Sequence, residues 1–107
     1  MTVRVIFLAL ALAGLTACQS HHAAMEIICN ASTECAPCRA ADAPSRATFL
    51  AQYISDRVTN SEAVQMFSSF PTLDPAQRAP ILRREAAREG ISPCPMAEEM
   101  EENLTAR

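Results

Sequence analysis

The chain has 107 residues, 9 basic against 12 acidic ones, and a formal net charge of −3. That length suits one small domain. An acidic chain without a lysine presents nothing like a basic nucleic-acid surface. Only 5% of the residues are aromatic and only two are glycine, which leaves a thin core and no Gly-rich phosphate loop.

The first element is MTVRVIFLALALAGLTAC. Arg4 supplies a basic start, and Val5–Leu15 is an apolar run of 11 residues. A bilayer span needs about 20 such residues, so this run fits the core of a secretory signal instead. It ends Leu15-Thr16-Ala17-Cys18, which resembles the lipobox of bacterial lipoproteins. The resemblance implies that the signal is residues 1–17, that it is cut just before Cys18, and that the Cys18 thiol receives a diacylglycerol. It implies attachment to the cell envelope by acyl chains without a membrane span, since each buried methylene adds about 0.8 kcal/mol. Gln19 in the next position leans, within that family, towards the outer membrane and the periplasmic space. The mature chain of 90 residues keeps all 12 acidic residues and 8 arginines, so its net charge is about −4.

Residues 18–28 read as a lipidated tether, with QSHHAA as its polar part; MEIIC, Met25–Cys29, is a short apolar segment that runs on into the domain, either a strand or a first helical turn. The folded domain is then expected over residues 29–107. Asn30–Ala43 reads as a loop with at most one helical turn. From there a helical period sets in. Pro44–Val58 places Phe49, Leu50, Tyr53, Ile54 and Val58 on one stripe, with Asp42 or Ala43 near the cap. Asn60 caps a second helix, Ser61–Phe70, that groups Val64, Phe67 and Phe70 until Pro71 stops it. Asp74-Pro75 opens a third helix with Ala79, Leu82 and Ala86 on one side and Gly90 as a left-handed cap. Pro80 inside it predicts a kink or a split. Pro95 opens a fourth, with Met96, Met100 and Leu104 inward and Glu98, Glu99, Glu101 and Glu102 largely outward as a solvated face. No stretch alternates long enough for a sheet, so the expected fold is all-α, a small bundle of about four short helices.

Cysteine arithmetic supplies the staple. With Cys18 lipidated, Cys29, Cys35, Cys38 and Cys94 remain, an even number in an exported chain. Of three possible pairings, Cys29–Cys94 with Cys35–Cys38 is favoured, the first closing a loop that restricts the unfolded chain by about 4 kcal/mol. The pairings that tie one of Cys35 and Cys38 to Cys94 and the other to Cys29 stay open.

The stretch ECAPCRAADAP, Glu34–Pro44, resembles the active-site loop of thioredoxin-type oxidoreductases through Cys35, Pro37, Cys38 and Arg39. That resemblance implies a reactive Cys35 at a helix start, poised as thiolate, with Cys38 resolving it. The family pattern also has a buried strand before the first cysteine, a tryptophan beside it and a closer following proline. None of these is present here, and no later strands complete a sheet. A scaffold bridge is therefore the reading, with thiol–disulfide exchange as the alternative. A second alternative is a soft-metal site. The His21, His22, Met25, Met96 and Met100 side chains suit copper(I), while zinc suits thiolates from two close pairs, of which only Cys35 and Cys38 form one. Haem attachment would need histidine where Arg39 stands. Adjacent histidines near the anchor give no catalytic triad. The expected function is a non-catalytic, envelope-associated interaction module with no cofactor and a protein partner that the sequence does not name.

Overall fold

The computed structural model describes residues 18–105. The signal reading of residues 1–17 lies outside the described residues. Helix α1 spans His21–Glu34, α2 Ala36–Ala40, α3 Ala43–Arg57, α4 Ser61–Ser69, α5 Pro75–Arg88 and α6 Pro95–Thr105, with a 3-10 turn at Phe70–Thr72 between α4 and α5. There is no strand among the described residues, and the fold is all-α.

The largest departure from expectation is α1. The stretch read as tether and loop is a 14-residue helix, and it packs against every other helix. Ser20 opens it, its hydroxyl accepting from the Ala23 amide. Ala24, Met25, Ile28, Cys29, Ala31 and Ser32 then fall on one buried face at helical spacing. Residues 21–28, assigned above to the tether, are thus the start of the domain's central helix. The reason is compositional. Four of the six residues on the buried face are alanine, cysteine or serine, which carry little hydropathy but let helices approach closely.

The remaining elements follow their signals more closely. Asp42 caps α3 by accepting from Ser45, and Pro44 lies in the first turn, one position later than expected. Asn60 caps α4. Pro71 does not stop the chain sharply, because a 3-10 turn carries it on to Thr72. Asp74 caps α5, whose Ala79, Leu82 and Ala86 are fully buried. Pro80 sits inside α5 without splitting it, and the proline itself is exposed. Gly90, at φ +73°, ends the helix: its amide donates to Ala87 and that of Ile91 to Ala86, the paired pattern of a left-handed cap. In α6, Met96 and Ala97 are buried and Met100 and Leu104 half-buried.

Two cysteine pairs staple the bundle at disulfide distance. Cys29 of α1 meets Cys94 before α6, Cα atoms 4.8 Å apart across 65 positions of sequence. Cys35 meets Cys38 with Cα atoms 5.2 Å apart. The core is continuous from α1 through α5 and α6 and reaches α3 and α4 through Ile54, Val58, Ala63 and Phe70.

Candidate functional site

Two places carry the chemistry that the sequence singles out, and they lie at opposite ends of α1. At its carboxyl end, Cys35 closes α1 and opens α2 at once. Its amide donates to Ala31, and its sulfur accepts from the Cys38 amide at 3.3 Å. Both residues are buried, Cys35 at 3% exposure and Cys38 at 0%. Exchange chemistry requires a nucleophile to reach one sulfur along the S–S axis, and here neither side chain is open to solvent. Arg46 of α3 locks the arrangement. Its guanidinium donates to the Cys38 carbonyl at 2.7 Å, reaches the Ser32 carbonyl at 3.5 Å, and pairs with Glu99 of α6. One arginine therefore ties four helices around the Cys35–Cys38 turn. Sequence reading placed Glu99 on a solvated face. The half-buried pair corrects that for Glu99, while Glu101 pairs at the surface with Arg83. No local pattern marks an ion pair across 53 positions.

At the amino end of α1, Cys18 is exposed and is the free cysteine of the five. Gln19 beside it is held fast. Its side-chain oxygen accepts from the amides of Thr59 (2.7 Å) and Asn60 (3.0 Å), and its side-chain nitrogen donates to the Arg57 carbonyl at 2.9 Å. The Asn60 side chain donates back to the Gln19 carbonyl at 3.2 Å. Gln19 thereby satisfies backbone groups orphaned at the end of α3 and the start of α4.

One turn on, His21 Nδ1 and Glu89 Oε1 are 2.7 Å apart, joining α1 to the end of α5, and Glu62 of α4 lies 3.9 Å from His21 Nε2. His22 faces Glu26 at 2.8 Å and Glu89 at 3.6 Å. The hydrogen bond from His21, aided by attraction to both histidines and opposed by partial burial, holds the Glu89 carboxyl below its ordinary range. The ring nitrogens thus face carboxylates. The soft-metal candidates Met25 and Met96 are buried in the core, and Met100 is half-buried against it. Among the described residues no group of three or more His, Cys, Asp or Glu side chains is arranged to hold a metal ion. No described helix is long and apolar enough to cross a membrane.

Surface depressions among the described residues include the following two. One, of about 540 Å³, lies open on α3 over Ala47, Thr48, Ala51, Gln52 and Ser55 and contains no titratable group. The other, of about 300 Å³, lies beside Cys94 between Arg83, Pro93 and Glu98. Compared with known proteins, the chain matches no family model, no curated protein and no solved structure.

Proposed function

We propose that the chain is a bacterial lipoprotein whose small helical domain acts at the cell envelope as a non-catalytic interaction module. Cys18 carries the lipid, and the four other cysteines are scaffold. The observation that carries this reading is the division of labour among the five thiols. Cys18 is exposed and free at the domain's edge, whereas Cys29, Cys35, Cys38 and Cys94 are paired and buried. Lipid transfer needs a reachable sulfur, and a staple needs a shielded one. The apolar run and LTAC that precede the exposed cysteine supply the export context. Within this reading the bilayer is one partner, nucleic acid is not a partner, and the outer membrane facing the periplasm is the address suggested by Gln19.

The test is the mass of the Cys18 peptide from protein expressed in a bacterial envelope. A diacylated, amino-terminal Cys18 is expected, with Cys18→Ser releasing the protein from the membrane fraction. Unmodified Cys18 in a soluble protein would end the reading. The same digest, alkylated before and after graded reductant, separates scaffold from exchange chemistry at Cys35 and Cys38. Opening of that pair at mild potential with the helices intact would favour the thiol–disulfide alternative. Metal that co-purifies with free thiols would favour the soft-metal one.

A further inference from the structure

A lipid anchor ordinarily leaves its domain free to the extent that the intervening chain is flexible. Here that length is nearly zero. The residue after Cys18 is fixed by four hydrogen bonds, three from its side chain and one to its carbonyl. The residue after that is the cap of α1. One Cα–Cα step of about 3.8 Å separates the anchored residue from the rigid domain.

We infer that the lipidated protein has a fixed seat on the bilayer: the end of the bundle built from the start of α1, the α3–α4 junction and the end of α5 rests against the headgroups. The inference rests on the lipid reading of Cys18. Acyl chains that leave from Cys18 pull that end of the domain to the surface, and Gln19 denies it the slack to turn away. The contacts of the seat define its membership. Gln19 joins Arg57, Thr59 and Asn60, and His21 joins Glu62 and Glu89. These groups are polar or charged, which suits a wet headgroup layer.

The seat is also not basic. Its one arginine, Arg57, is outnumbered by Glu62 and Glu89, so charge gives this end no hold on an anionic bilayer. The far end of α1 lies about 21 Å away along a 14-residue helix. The Cys35–Cys38 turn and Arg39 therefore sit at the end of the molecule opposite the anchor. Exposed Phe49 is two turns back from the end of α3, about 12 Å from the seat along that helix. These groups remain free to face the aqueous space.

The experiment uses the lipidated protein in phosphatidylcholine–phosphatidylglycerol vesicles containing lipids with spin-labelled headgroups. A dye is carried by a click-reactive residue replacing Glu62 in one protein and Arg39 in another, both exposed positions. Quenching at position 62 is expected to exceed that at position 39 several-fold. A spacer of about ten Gly/Ser residues between Cys18 and Gln19, with a reach of about 17 Å, should bring the two to equality. Gln19→Ala should lower the ratio and speed exchange of the Thr59 and Asn60 amides, while Gln19→Glu, which keeps the acceptor, should restore part of both. Equal quenching in the unspaced protein, with Cys18 shown by mass to be diacylated, overturns the seat and leaves the lipid reading standing. An unmodified Cys18 overturns both.

Discussion

The two sides of α1 are built differently. Towards α5 and α6 it meets Ala79, Leu82, Ala86, Met96 and Ala97, all buried, and the Cys29–Cys94 bridge crosses this side. Towards α3 and α4 two large apolar residues are incompletely covered. Phe49 is 44% and Val64 41% exposed, and Ile54, Val58 and Ala63 do most of the burying. Among the described residues the aromatic rings lie on this side, where Phe67 and Phe70 meet at a tilt with centroids 5.6 Å apart and Tyr53 carries Arg57 over its face. Small residues on facing helices thus make the dense interior, because they let the helix axes come close. Met25, Ile28 and Leu82 fill the space between them, while Phe49 and Val64 finish at the rim. In a chain this short, stability follows from which side a residue faces more than from its size.

That contrast is open to breakage. The largest effect is expected from Cys29→Ser with Cys94→Ser, which frees a loop of 65 residues and costs about 4 kcal/mol. A chemical denaturation midpoint unchanged under strong reductant would show that the dense side does not depend on its staple. Next, Leu82→Ala should cost roughly 2–5 kcal/mol, because the side chain is fully buried. Phe49→Ala, though it removes more atoms, should cost under about 1 kcal/mol. Equal losses in thermal melts would erase the distinction between the two sides.

Arg46→Ala sharpens the picture at the Cys35–Cys38 turn. It removes one of two donors to the Cys38 carbonyl, which keeps the Ala41 amide, and leaves Glu99 half-buried without its partner, an expected loss of roughly 1–2 kcal/mol. It should also speed reduction of Cys35–Cys38 as followed by alkylation. Unaltered reduction would mean that burial alone shields the sulfurs.

The smallest effect concerns pH. Glu89 has its carboxyl held below the ordinary value of 4.5 in the folded protein, chiefly by its hydrogen bond with His21. Its stabilising contribution is therefore fully present above that value and fades as pH falls through the lower folded one. Glu89→Gln should flatten the acid limb of the stability curve in that window. A curve parallel to that of the parent protein would show that the pair contributes nothing to folding.

Much of this was readable before any coordinates, and the reasons differ by element. Asp42, Asn60 and Asp74 announced three helix starts because a cap is a local hydrogen bond within three residues. Gly90 announced an end because a left-handed turn favours a residue without a Cβ. The central helix was missed for an equally physical reason. Its buried face depends on alanine, cysteine and serine, and its His-His start is polar, so hydropathy registers little period there. Counting Ala24, Met25, Ile28, Ala31, Ser32 and Cys35 by spacing alone would have revealed it.

Other features come only with assembly. Gln19 meets residues some 40 positions away, and Arg46 meets one 53 away. Such contacts leave no trace in a local window, since they depend on how helices are laid together. What the sequence determined by itself is the helical class, most helix boundaries and the cysteine inventory, all consequences of short-range sterics and composition. Tertiary structure decided which helix is central, which of the permitted cysteine pairings is made, which carboxylates are shielded, and that the residue after Cys18 belongs to the domain. Those are decided by packing, where the free energy lies in surfaces brought together from distant parts of the chain.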